Sequence, residues 1–335
     1  VPAAGTGAEW SKREAAGSRK WTSIASSSDG NKLAATAWGG KIYTSSDAGA
    51  TWAERSGSGD RNWIAVASSS DGNKLAAVYD WGGYIYTSSN AGATWTARGV
   101  PGSYNWTAVA SSADGNKLVA TAKDHSIYTS TDAGATWTER KSSGSRKWSS
   151  VASSSDGNKL VATVTGGNIY TSSDSGATWT GHAADGVHNW TSATISDDGS
   201  KISATAGGGG YIFSSSDSGA TWVAQASAGV PNWSAIAGAA DGTKLAAVSY
   251  GGNIYTTTRA YEQGKHVNPS NPNPSNPGSS SSSSNSSASS SNNKARAANN
   301  GSQLADTGAS IVAVTLVAVL AVGAGAGAWL IRKKI

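Results

Sequence analysis

The sequence predicts an all-β fold: a six-bladed β-propeller of four-stranded blades, closed by the N-terminal strand and followed by a disordered linker and a C-terminal transmembrane helix. Three observations predict it. The first is a pair of tryptophan series in step with each other. Trp21, Trp63, Trp106, Trp148, Trp190 and Trp233 recur at intervals of 42, 43, 42, 42 and 43 residues, and Trp10, Trp52, Trp95, Trp137, Trp179 and Trp222 recur at the same intervals. The second is a last repeat that stops one strand short while the N-terminus carries the missing piece. The third is an abrupt change of composition after residue 262.

Each repeat supplies four strand candidates, seen in the first as WTSIASS, KLAATA, KIYTS and TWAER. Asp-Gly turns separate the first two: Asp29, Asp71, Asp114, Asp156, Asp198 and Asp241, each with a lysine three residues on. Four strands in about 42 residues is the size of a propeller blade. Fifteen Trp against a single Phe, with no Met and no Cys, make the aromatic rings the main core filler. The sixth repeat has three strands and then runs out into RAYEQG. GAEW at 7–10 matches GATW at 49–52, so the chain's first strand is expected to complete the last blade and remove both free edges.

The chain divides into three regions: 1–262, the propeller; 263–303, a Ser/Asn/Pro-rich linker of wall-spanning length; and 304–335, a segment containing the uncharged span 309–331. Twenty-three uncharged residues cross a bilayer as a helix, and Arg332, Lys333 and Lys334 behind them keep the C-terminus inside and the rest outside. The net charge of +5 belongs wholly to residues 263–335, because 1–262 hold 20 basic and 20 acidic residues. A nucleic-acid footprint is therefore not expected on the folded part. Without Cys there is no disulfide framework and no thiolate metal site. Without Met, Val1 is expected to be the start of a processed, exported chain.

The stretch SSDAGATW (45–52) returns in four near-copies at 88–95, 130–137, 172–179 and 215–222. This S-x-D-x-G-x-T-W pattern resembles the Asp-box, or BNR, repeat of sialidase-like β-propellers. The resemblance makes Asp47, Asn90, Asp132, Asp174 and Asp217 structural turn residues. The acceptor spans the turn, glycine supplies a positive φ, and tryptophan covers the hairpin. Asn90 can serve as Asp does there, which a metal site would tolerate poorly, so no metal and no cofactor is expected. Leu304, Ala305, Asp306, Thr307 and Gly308, with the apolar span and basic tail, resemble a sortase sorting signal of LPxTG type in an LAxTG form. That likeness implies cleavage after Thr307, transfer to a peptidoglycan precursor, and a Gram-positive-type cell wall as the final location.

If the repeated residues are scaffold, a ligand site belongs where the repeats differ. Trp38, Tyr79, Trp81, Tyr84, Tyr104 and Tyr250 gather near the loops after the second strands and the blade connections. They suit a glycan or a protein partner, with packing between blades as the competing role. Arg19, Arg61 and Arg146 each stand two residues before a tryptophan of the first series, as an anion site or as surface arginines. Sialidase-like hydrolysis is the enzymatic alternative, but no Arg-Ile-Pro motif occurs, and no catalytic residue is selected among Asp60, Asp80, Asp124 and Asp185. The leading expectation is a monomeric, wall-anchored adhesin or lectin-like propeller. A scaffold without a small ligand is the third reading.

Overall fold

The computed structural model describes residues 12–184 and 186–257. They form consecutive antiparallel meanders, five of four strands and a last one of three. The first holds β1 (Trp21–Ser26), β2 (Leu33–Gly40), β3 (Ile42–Ser45) and β4 (Ala53–Arg55), each paired with the next. The second holds β5 (Arg61–Ser68), β6 (Leu75–Tyr79), β7 (Gly82–Ser88) and β8 (Thr96–Tyr104). The third holds β9 (Trp106–Ser111), β10 (Leu118–His125), β11 (Ile127–Ser130) and β12 (Thr138–Arg140). The fourth holds β13 (Arg146–Ser153), β14 (Leu160–Gly167), β15 (Ile169–Ser172) and β16 (Thr180–His182). The fifth holds β17 (His188–Ile195), β18 (Ile202–Ala206), β19 (Ile212–Ser215) and β20 (Val223–Ala224). The sixth holds β21 (Trp233–Gly238), β22 (Leu245–Ser249) and β23 (Ile254–Thr257). The closing strand expected at 7–10, the linker 263–303, the signal 304–308 and the helix 309–331 lie outside the described residues.

Inside each unit the tryptophan of the first series opens the first strand and is followed by a bulge. Trp63 faces Tyr79 while Ala65 faces Val78, and the same one-residue shift follows Trp21, Trp106, Trp148, Trp190 and Trp233. The skipped residue is a hydroxyl in five units. Thr22, Thr107, Ser149, Thr191 and Ser234 donate to the carbonyl left by the shift, at 3.1–3.2 Å. The rings that result are core. Trp63, Trp106, Trp148, Trp190 and Trp233 are at most 1% exposed, and each meets the aromatic ring of the third strand edge-on at 4.8–5.7 Å.

The units are joined by a contact set that repeats as strictly as the units do. First strands pack in series, β1 on β5, then β9, β13, β17 and β21. Just beyond them runs a chain of backbone hydrogen bonds, one per junction. Ser28 donates to Ser70 O, Ser70 to Ala113 O, Ala113 to Ser155 O, Ser155 to Asp197 O, and Asp197 to Ala240 O, all at 2.7–2.9 Å. Beside it the turn lysines of the first five units leave their own unit. Lys32 Nζ reaches Asp71 O (3.0 Å) and Asn73 Oδ1 (2.8 Å), and Lys74 Nζ reaches Asp114 O (2.9 Å) and Asn116 Oδ1 (2.6 Å). The sequence groups these lysines with their own turns; the fold sends them across the junction instead. Gly115, at φ +69°, has no room for a side chain, because a Cβ there would stand 2.7 Å from Lys74 Cβ.

Two ends of this series lack their partner among the described residues. Ile24 is 41% exposed, although its counterparts Val66, Val109, Val151, Ala193 and Ile236 are buried. Nothing lies over Gly30, where the other Asp-Gly glycines carry a lysine stem. At the far end Ile254 is 72% exposed, against buried Ile42, Ile85, Ile127, Ile169 and Ile212.

A junction this regular makes a stability prediction. Lys74→Met, which keeps the stem and removes the ammonium, lowers unfolding free energy by about 0.5–1.5 kcal/mol. Gly115→Ala costs more than about 2 kcal/mol, because positive φ and overpacking act together. Urea unfolding midpoints of the two variants check this; equal midpoints would contradict the overlap at Gly115.

Candidate functional site

The meanders have two ends with different chemistry. At one, the Asp-Gly turns and the octapeptide turns are bonded into each other, as Ala48 donates to Asn31 O (2.9 Å) and Ala91 to Asn73 O (2.8 Å). Each octapeptide then closes on itself. Asp47 Oδ1 accepts from Thr51 N (2.8 Å) and Ser45 Oγ (2.7 Å), and Oδ2 accepts from Thr51 Oγ1 (2.6 Å). Trp52 Nε1 donates to Gly49 O at 3.1 Å. Asp132, Asp174 and Asp217 repeat these bonds. In the second unit Asn90 keeps the bond from Thr94 N and turns its amide round to donate to Thr94 Oγ1 at 2.9 Å. These acceptors are occupied by their own turn, which leaves them little with which to hold a ligand. Among the described residues no group of His, Asp and Glu is arranged to hold a metal ion.

The other end carries the loops after the second strands and the connections between units. The three arginines lie there, each in its own unit. Arg19 stacks on Tyr43 (4.4 Å to the ring centre) and donates to Ala16 O (2.8 Å). Arg61 stacks on Tyr86 (4.6 Å), bonds its hydroxyl, and donates to Ser58 O (3.1 Å). Arg146 stacks on Tyr170 (4.5 Å) and donates to Ser143 O (2.9 Å). The third unit holds Tyr104 at this place, buried on Trp106 and His125 and sharing a hydrogen bond with Tyr128 (2.7 Å). The structure does not bring the three guanidinium groups together.

The aromatic candidates divide in two. Trp38 is half-buried in the pairing of β2 with β5, opposite Asn62, and Tyr79 packs edge-on against Trp63 and Tyr86. Trp81, Tyr84 and Tyr250 are open to solvent, at 78%, 48% and 74% exposure. Trp81 lies on the β6–β7 connection and Tyr84 in β7, whose pairing with β8 runs on to Gly82 and Tyr104. Tyr250 belongs to the sixth unit. Among the acids, Asp60 lies 3.8 Å from Lys41, and burial raises the Asp80 carboxyl against the pull of Trp81 and Lys123. Asp185 lies outside the described residues.

The loop tips carry a signal that composition hides. The residue at the tip of each second-strand loop has positive φ in all six units: Gly39, Trp81, Asp124, Gly166, Gly208 and Gly251. Four are glycine; Trp81 (φ +62°) and Asp124 (φ +60°) are not. A cavity of about 600 Å³ lies elsewhere, beside Trp21, Ile24, Ala35 and Trp52. It occupies the face of the first unit that a preceding unit covers everywhere else in the series.

The octapeptide bonds carry a pH signature. Thr51 and Ser45 hold the Asp47 carboxyl down to about 2, and Thr136 and Ser130 do the same for Asp132. A value depressed in the folded state gives stability that is full above the unfolded value of about 3.9 and lost as pH falls through about 2. Melting temperature should thus stay flat from pH 7 to about 5 and fall between about pH 4 and pH 2. Asp132→Asn, which copies Asn90, should leave the neutral-pH midpoint within about 3 °C and weaken the acid dependence. Calorimetry across that range checks both; a midpoint that falls between pH 7 and 5 contradicts the first.

Likeness to known proteins bears on the fold. The family model described as Sortilin, neurotensin receptor 3 (Sortilin-Vps10) matches residues 40–167. No curated protein sequence matches the chain. Among solved structures, a GH74 enzyme of Niastella koreensis is similar over 73% of this chain and 37% of its own, at 21% identity and a TM-score of 0.56. An ancestral GH74 enzyme is similar over 71% of this chain and 36% of its own, at 16% identity and a TM-score of 0.57. The chain spans little more than a third of either enzyme. With the antiparallel meanders, these likenesses make the repeat array a β-propeller fold.

Proposed function

We propose that the chain is a cell-wall-anchored surface binding protein, adhesin-like or lectin-like, whose loop end receives a glycan or protein partner. The observation that carries this reading is the exposure of Trp81 and Tyr84 at the end where repeats differ. The opposite end is committed to its own turns. The anchor rests on the string Leu304–Ala305–Asp306–Thr307–Gly308, the apolar span 309–331 and the basic tail, which together fit sortase transfer of Thr307 to a peptidoglycan precursor. The Ser/Asn/Pro-rich stretch 263–303 is then the stalk through the wall. Hydrolysis is the second reading, supported by the distant likeness to GH74 enzymes and by Asp80, a carboxyl held toward its protonated form by burial.

The propeller of this reading is a closed ring of six Asp-box blades, with residues 7–10 as the fourth strand of the sixth. Its two free ends carry the halves of one more junction. Lys244 and the Ala240 N–H stand on the sixth unit, and Ser28 O, Asp29 O and Asn31 on the first. Closure joins them, covers Ile24 and fills the cavity beside it.

Two measurements test this function. Trp81→Ala in the full chain should abolish binding to the partner while leaving the melting temperature within about 3 °C, because the ring is exposed. Turnover of a fluorogenic glycoside that Asp80→Asn abolishes would instead favour the hydrolase. For closure, Lys244→Met should cost as much stability as Lys74→Met. A Lys244→Met variant as stable as the parent means that the ring is open.

A further inference from the structure

The spacing of the first tryptophan series and the hydrogen bonds of its indoles vary together. Trp148 Nε1 donates to His125 O at 3.0 Å, and Trp190 Nε1 donates to Gly167 O at 2.9 Å. In both cases the acceptor directly follows the positive-φ tip, Asp124 or Gly166, of the preceding unit's second-strand loop. That bond latches the loop to the core of the next unit. Trp106 and Trp233 are buried as deeply, at 1% exposure, yet their Nε1 has no partner among the described residues. These are the two indoles that end the 43-residue intervals, counted from Trp63 and from Trp190.

The extra residue explains the loss. From the loop tip to the third-strand isoleucine is three positions in the third and fourth units, Asp124 to Ile127 and Gly166 to Ile169. It is four in the second and fifth, Trp81 to Ile85 and Gly208 to Ile212. One residue more between tip and strand carries the acceptor carbonyl off the indole. Trp63 follows a short loop and still has an acceptor, Gly59 O of its own connection, at 3.4 Å. A buried N–H without an acceptor is costly, and a loop without its latch is freer to move. In the second unit the tip adds a reason of its own, because Trp81 holds a left-handed backbone that strains a residue with a side chain. A loop carbonyl swung inward would satisfy Trp106 and release Trp81 from φ +62° in one step. We infer that the second-strand loops of the second and fifth units are straps with two states, the unlatched one of this structure and one latched through a loop carbonyl onto Trp106 or Trp233. Motion of the second-unit strap carries Trp81, so in the surface-binding reading proposed above it sets how that ring is presented. The strap itself does not depend on that reading.

The experiment is relaxation dispersion at the indole N–H groups of the full chain, isotopically labelled at tryptophan nitrogen, in mild detergent with no partner present. Trp106→Phe, Trp148→Phe, Trp190→Phe and Trp233→Phe assign the four resonances. Microsecond-to-millisecond exchange is expected at Trp106 and Trp233 and is expected to be absent at Trp148 and Trp190. Deleting Gly83 restores the short loop; it should abolish exchange at Trp106 and leave Trp233 exchanging. Trp81→Gly serves if that chain does not fold. Glycine removes the strain at the tip, so the Trp106 amplitude should fall by roughly two-fold or more while Trp233 is unchanged. Steady indoles at both Trp106 and Trp233, as a fixed water on each would give, overturn the inference. Exchange at all four indoles overturns it too, as does exchange at Trp106 that keeps its full amplitude in both variants. Because no partner is used, each of these results leaves the surface-binding reading standing.

Discussion

The structure depends on the junction between units more than on any unit by itself. A single meander of four short strands buries its tryptophan on one face only, and the opposite face must find a neighbour. The neighbour is recognised by the same three contacts each time: a first strand laid on a first strand, one backbone hydrogen bond, and a lysine stem across the next Asp-Gly turn. The lysine contact explains the glycine better than the turn does. A positive φ is a preference that Asn or Asp also satisfies, whereas a Cβ on Gly115 would stand 2.7 Å from Lys74 Cβ, which leaves no room for a side chain.

That regularity separates scaffold from site. The octapeptide aspartates repeat because their carboxylates close a hairpin, and the second unit does the same with Asn90 by reversing one hydrogen bond. Arginine, tyrosine, histidine and proline alternate two residues before the first-series tryptophan, because several shapes can lid an aromatic pair. Arginine does it by stacking, Tyr104 by a hydroxyl pair with Tyr128, and His188 by lying on Trp190 and Phe213. Variation at a repeated position is therefore a weak sign of function when the variants fill the same space. Trp81 differs from its glycine counterparts in a stronger way, since it adds an exposed ring and backbone strain without filling anything.

Much of the fold could be read from spacing. The strands, their order and the two ends of each meander follow from tryptophan period, Asp-Gly turns and the octapeptide, because these are local rules of β-structure. Three things could not. The bulge after each first-series tryptophan leaves no mark except a recurrent hydroxyl at 22, 107, 149, 191 and 234, which reads as an ordinary strand residue. The reach of Lys32 and Lys74 into the next unit depends on how units stack, a relation between residues about 40 positions apart. Of the six aromatic candidates, Tyr79 and Tyr104 turn inward and Trp81, Tyr84 and Tyr250 outward, although all six look alike in the sequence.

The sequence by itself determined the repeat, the strand count within it and the identity of every turn, since each is set by residues a few positions apart. The tertiary structure decided which identical residues face a neighbour and which face water. Ile24 and Val66 occupy the same place in the same motif, and one is exposed and the other buried only because a unit packs against the second. Burial is a property of what lies beside a residue, and in a chain built of copies no single copy contains that information.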